Sequence, residues 1–165
     1  MKYLGNREAA STVLEKGAKS LEELKPDAAL TLYSRAADVA HGEDNYKQAA
    51  STVLEKGAKS LEELKSDAAL TLYSRAADVA HGEDNYKQAA EYISRAARMC
   101  VRVKEFDKAA DLIRQEIGYH QESEHLLAIG RLAVALVLVQ LARGDTVAAE
   151  KAFKEWGNCC EAPEV

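Results

Sequence analysis

Apolar and small residues recur at helical spacing along nearly the whole chain, and this pattern predicts helices joined by short polar connections. Alanine pairs mark the helices at intervals of about 20 residues, which fits roughly four helical turns plus a turn. The pairs lie at 9–10, 28–29, 49–50, 68–69, 89–90, 109–110 and 148–149, with one step skipped. The predicted helices are 6–24, 27–41, 45–64, 67–81, 85–103, 107–121, 124–142 and 145–156.

A near-perfect internal repeat sets the expected fold. Residues 11–50 and 51–90 are the same 40-residue sequence except that Ser66 stands where the first copy has Pro26. Two helices in each 40-residue unit predict an antiparallel hairpin, and stacked hairpins bury apolar stripes that one hairpin leaves open. We therefore expect an all-α, right-handed superhelical solenoid of tetratricopeptide-like hairpins over residues 1–157, followed by a tail at 158–165. The near-identity indicates a recent duplication, an engineered sequence or an error in the gene model.

The residue types in the connections predict the helix ends. Asp27 and Asp67 are expected as N-caps, and Gly42 and Gly82 as glycines at the helix C-termini. Eight side chains are expected to be buried between stacked hairpins: Leu54, Leu61, Leu70, Tyr73, Val79, Ile93, Leu112 and Ile113.

The composition narrows the class of protein. A formal net charge of -5 with 30% charged residues lacks the basic footprint of a nucleic-acid binder. The N-terminus lacks the pattern of a secretory signal, which predicts a cytoplasmic protein with Cys100, Cys159 and Cys160 reduced. The apolar run 126–142 contains Gly130 and Gln140, so we expect a helix buried by neighbours on both sides rather than a membrane span.

No pattern in the chain predicts catalysis, a cofactor or a metal. The segment 57–60, Gly-Ala-Lys-Ser, lacks the upstream glycine of a phosphate-binding loop and lies inside a predicted helix. His120 and His125 have no carboxylate or thiol at ligand spacing. We therefore expect a protein that is not an enzyme.

A basic stripe on the fifth predicted helix is the main candidate for binding a partner. Four cations at helical spacing share one face of this helix: Lys87, Arg95, Arg98 and Arg102. Glu91 lies on the same face, and Lys104 lies just beyond the helix. Such a stripe matches an acidic partner, and an ordinary solvated helix face is the competing interpretation. Arg35 and Arg75 share the Ser-Arg-Ala-Ala context of Arg95 and are weaker candidates.

Two consecutive segments resemble a known family. Residues 86–98, YKQAAEYISRAAR, and 103–113, VKEFDKAADLI, resemble the soluble NSF attachment proteins, with the gamma branch (gamma-SNAP) as the nearest. Residues 26–33, PDAALTLY, and 144–150, GDTVAAE, support the resemblance. It implies a cytoplasmic adaptor that coats a SNARE complex of syntaxin-like helices and recruits the ATPase NSF, associating with membranes through these partners. It also places Arg95 near a basic position that faces SNAREs in the family.

The resemblance has three departures. Compared with the family, we expect the hairpins that precede the matching region to be missing before Met1. We also expect the segment that engages NSF to be missing after Val165. The third departure is the duplicated hairpin, which the family carries once. The sequence thus predicts a partial member that keeps the scaffold, with an open end prone to self-association. Two alternatives stay open: a generic helical-repeat scaffold for an unknown partner, and a regulatory subunit whose helix 124–142 docks on a catalytic chain.

Overall fold

Helices account for almost all of the chain that the structure describes. This structure is a computed structural model that describes residues 4–40 and 47–156. In those two ranges the helices are α1 Leu4–Leu21, α2 Pro26–Ala40, α3 Lys47–Leu61, α4 Ser66–His81, α5 Tyr86–Arg102, α6 Phe106–Glu122, α7 Leu126–Arg143 and α8 Thr146–Trp156. Every boundary lies within three residues of the predicted one, so the periodic pattern located the helices correctly.

The 40-residue period continues beyond the two near-identical copies. The second helix of each hairpin begins 40 residues after the previous one, at Pro26, Ser66, Phe106 and Thr146. One backbone hydrogen bond recurs at each of these starts. The amide of the fourth helical residue donates to the carbonyl of the residue directly before the helix, at 3.0 to 3.1 Å for the pairs 29–25, 69–65, 109–105 and 149–145. In α7 the skipped alanine pair is replaced by Ile129 and Gly130, both buried. The described part of the chain therefore consists of four variants of one hairpin.

Contacts divide the chain into two compact units, Met1–Asn85 and Tyr86–Val165. In the first unit α2 packs against α1, α3 and α4. Within each hairpin a tyrosine of the second helix donates a hydrogen bond back to a glutamate in the preceding turn, Tyr33 to Glu22 and Tyr73 to Glu62. Both tyrosine rings are buried, so each tyrosine packs in the core with its ring and stabilises the turn with its hydroxyl group.

In the second unit α6 packs on α5 and α7, and α8 packs on α7. The large side chains that are fully buried there are Tyr92, Ile93, Cys100, Ile117, Leu136 and Gln140. Of the eight residues predicted to be buried, five are buried and three are half-buried, namely Leu70, Val79 and Leu112.

The helix ends differ from the prediction in detail. Asp27 and Asp67 are not N-caps, because α2 starts at Pro26 and the N-cap of α4 is Lys65. Both aspartates instead lie in the first helical turn, where a carboxylate is stabilised by the helix dipole. Gly82 is the C-cap of α4 with a right-handed φ of −63°. Gly42 and His41 lie outside the described residues, as do Cys159, Cys160 and the predicted tail.

Helix α7 is more exposed than the sequence predicts. Only 33% of its 18-residue window is buried, so the prediction of burial on both sides is wrong within the described residues. Leu127, Val134 and Leu138 are more than half exposed. By length and composition alone α7 qualifies as a membrane-spanning helix, a test that core helices of soluble proteins also pass.

Candidate partner-binding surface

The predicted basic stripe lies on α5, the first helix of the second unit. Lys87, Arg98 and Arg102 are exposed, and Arg95 is half-buried. The other face of α5 is occupied by buried alanines and by Tyr92 and Ile93, which pack in the core. Burial of that apolar face turns the cations outward, because residues spaced by three or four share one side of a helix. We call Lys87, Arg95, Arg98 and Arg102 the α5 basic stripe.

A buried carboxyl group lies behind this stripe. Glu116 of α6 is 7% exposed. Its burial raises the pKa of its carboxyl to about 7, while a hydrogen bond with Ser94 and the positive charge of Arg98 act in the opposite direction. Glu116 is therefore partly protonated near neutral pH, and the positive charge of Arg98 is only partly offset.

Sequence inspection missed Glu116, although a signal was present. The apolar stripe of α6 runs through Ala109, Ile113 and Ile117, and Glu116 falls on the same buried face, one residue before Ile117. A charged residue inside an apolar stripe costs desolvation energy unless it is neutral or paired. Its half-buried partner Ser94 lies across the hairpin on α5, a pairing that only the packing of the two helices reveals.

Lys104 is not part of the helical stripe. It lies in the turn between α5 and α6 with a left-handed φ of 63°. There it lines a cleft of about 400 Å³ together with Lys108 and Arg143. The cleft is of mixed charge, because Lys108 pairs with Glu105 at 2.6 Å and Arg143 pairs with Asp107 at 3.0 Å. The structure thus separates Lys104 from the four helical cations.

The weaker candidates lie in the first unit. Arg35 is exposed on α2. Arg75 of α4 forms an ion pair with Asp38 of α2 at 2.6 Å, linking the two near-identical hairpins. Arg75 and Asp38 line a second cleft of about 400 Å³, whose apolar walls include Leu54. Arg75 therefore has a structural partner that explains its position.

The histidines of the second unit make a local contact. The rings of His120 and His125 lie 5.9 Å apart, and burial, followed by the charge of His125, lowers the pKa of His120. In residues 4–40 and 47–156 no group of three or more His, Cys, Asp or Glu side chains is arranged to hold a metal ion. Cys100 is buried and forms no disulfide with the described residues.

Comparison with known proteins identifies the fold and the family. The structure is similar to that of BtubC (BKLC) from P. vanneervenii, with a TM-score of 0.55 and 16% sequence identity, over 99% of this chain and 79% of that one. At this identity the likeness concerns the fold alone, and it confirms the prediction of an all-α solenoid of tetratricopeptide-like hairpins. The family model described as "Soluble NSF attachment protein, SNAP" matches residues 1–162. The chain therefore belongs to the soluble NSF attachment protein family.

Proposed function

We propose that this chain is a SNAP-like adaptor, of the gamma branch, that binds SNARE complexes through the α5 basic stripe and assists their disassembly by the ATPase NSF. The match to the family over residues 1–162 carries the proposal. In this role the protein has no chemistry of its own. It acts in the cytoplasm in vesicle-mediated transport and membrane fusion, and reaches membranes through its partners.

The electrostatics of α5 support the choice of surface. Four cations share the face with one carboxylate, Glu91, which gives the face a formal charge of +3 in a chain whose net charge is -5. A local charge opposite to that of the whole chain orients an acidic helical bundle during encounter, and such contacts mainly raise the association rate and set the register. Binding through this face should therefore weaken as salt rises.

The choice of variant follows from the contacts. Reversing the charge of Arg98, by Arg98→Glu, would place a second carboxylate near the buried carboxyl of Glu116 and would disturb the fold. Lys87 and Arg102 are exposed on α5, so the double variant Lys87→Glu/Arg102→Glu changes the stripe with little effect on packing. The double variant Arg131→Glu/Lys151→Glu, at exposed positions of the fourth hairpin, makes the same change of charge elsewhere and serves as the matched control.

The experiment measures capture of a purified SNARE complex at low and at physiological salt, and then its ATP-dependent release by added NSF. The wild type should capture the complex in a salt-sensitive manner, and the α5 variant should bind about tenfold more weakly, or 1.4 kcal/mol. The control variant should bind as the wild type does. Equal losses in both variants would exclude the α5 stripe as the site, and no capture by the folded wild type would exclude the adaptor function.

A further inference from the structure

The two near-identical copies allow one helix to be compared with and without a neighbour. Residues 11–25 of α1 and its turn have the same sequence as residues 51–65 of α3 and its turn. Val53 is 4% exposed, whereas its equivalent Val13 is 67% exposed. Gly57 and Leu61 are likewise buried, whereas Gly17 and Leu21 are half-exposed. Positions 53, 57 and 61 are four residues apart and form one stripe; we call this stripe of α3 and its equivalent on α1 the acceptor face.

The acceptor face of α3 packs against the preceding hairpin. The ring of Tyr33 on α2 lies directly on Gly57, so close that a Cβ at Gly57 would be 2.5 Å from Cγ of Tyr33. Ion pairs flank this contact, from Lys56 to Glu15 at 3.7 Å and from Lys65 to Asp27. The first hairpin is thus joined to the second by an aromatic ring that packs on a glycine, in a stripe where Val53 and Leu61 are also buried.

Among the described residues, the fourth hairpin carries an aromatic residue at the matching position, and there it is exposed. Phe153 lies 153−33 = 120 residues, or three periods, after Tyr33. The residues at this position in the first three hairpins, Tyr33, Tyr73 and Ile113, are at most 4% exposed, but Phe153 is 63% exposed. Val147, in the first turn of the same helix, is also exposed. We call the exposed surface of α8 around Phe153 the donor face.

We propose that a second copy of this chain covers the donor face, with Phe153 of one copy packing on Gly17, between Val13 and Leu21, of the next. The assignment rests on continuity with the interface inside the chain, because the acceptor face of α1 has the sequence of the α3 face that already binds Tyr33. Donor and acceptor lie on different helices, so the contact is heterologous and each copy contributes a different surface to it.

The proposed contact differs from the internal one in charge. Three periods after Glu15 and Asp27 the chain has Ala135 and Val147, so the partners of Lys16 and Lys25 are replaced by apolar residues. Self-association should therefore be apolar, and salt should strengthen it or leave it unchanged. The expected response to salt is opposite to that of SNARE capture, and the two proposals can fail independently.

The test is sedimentation velocity of the wild type and of two variants over a range of protein concentrations. Phe153→Glu removes the donor, with Val103→Glu as a control at another exposed apolar residue. Gly17→Leu blocks the acceptor, with Gly118→Leu as a control at a helical glycine that has nothing within 4 Å of a Cβ. The wild type should self-associate as its concentration rises, whereas each interface variant should be at least roughly tenfold weaker in self-association. Circular dichroism verifies that each variant is helical.

A mixture of the two variants tests the direction of the contact. Gly17→Leu keeps a donor and Phe153→Glu keeps an acceptor, so a 1:1 mixture should form dimers that do not extend further. A monomeric wild type at every concentration would overturn the proposal. So would loss of association in Phe153→Glu but not in Gly17→Leu, because that result indicates a symmetric contact or another surface.

Discussion

Two equivalent glycines should respond in opposite ways to the same substitution. Gly17 and Gly57 occur in identical sequence on α1 and α3. Replacing a helical glycine with alanine stabilises a helix by about 1 kcal/mol. At Gly17 the new Cβ would lie 3.5 Å from Cδ1 of Leu32, an ordinary contact. We therefore expect Gly17→Ala to raise the free energy of unfolding by about 0.5 to 1 kcal/mol.

At Gly57 the same methyl group has no room. It would lie 2.5, 2.7 and 2.9 Å from three ring atoms of Tyr33. The ring cannot easily move away, because it is 3% exposed and its hydroxyl is bound to Glu22. Overpacking of this kind costs about 1 to 3 kcal/mol. Since the gain in helix propensity is common to both sites, the two variants should differ by about that amount.

The assay is urea denaturation of both variants and the wild type, followed by far-UV circular dichroism. Gly17→Ala should unfold at a higher urea concentration than the wild type and Gly57→Ala at a lower one. Adding Tyr33→Leu should relieve part of the defect of Gly57→Ala, which would appear as a favourable coupling energy in a double-mutant cycle. Equal shifts for the two glycine variants would refute the assignment of Tyr33 to Gly57.

Two further predictions concern buried polar groups of the second unit. The pKa of Glu116 is about 7 in the folded protein rather than 4.5. Between these two pH values the folded state holds a proton that the unfolded state has lost, so the free energy of unfolding falls by up to about 3 kcal/mol as pH rises from 4.5 through 7. Glu116→Gln should therefore match the wild type near pH 4.5 and exceed it above pH 7 in thermal melts; a pH-independent difference would contradict this. Gln140 is fully buried, and among the described residues its Nε2 has no hydrogen-bond partner, while its Oε1 accepts one long hydrogen bond, from Arg143 at 3.3 Å. Because the Arg143 guanidinium is partly exposed and can bind water instead, Gln140→Met should raise the melting temperature by the equivalent of about 1 kcal/mol; a lower melting temperature would show that the bond to Arg143 outweighs the cost of the buried amide.

Much of the candidate surface could be predicted from spacing alone. The α5 cations lie on a helix face because three- and four-residue intervals put them there, and the structure leaves Lys87 and Arg102 exposed. Lys104 could not be placed in this way, since the turn that holds it has a left-handed φ. Glu116 and Ser94 are 22 residues apart in sequence, by 116−94, and their pairing depends on how α5 and α6 pack.

The sequence by itself determined where the helices lie and that they form hairpins, because helix periodicity and turn residues act over a few neighbouring positions. It could not determine which copy of a residue is buried. Val13 and Val53 lie in identical sequence, since residues 9–25 and 49–65 are the same. Even so, Val13 is 67% exposed and Val53 is 4% exposed. Burial depends on whether another hairpin covers the face, and that is decided by tertiary contacts between residues far apart in the chain.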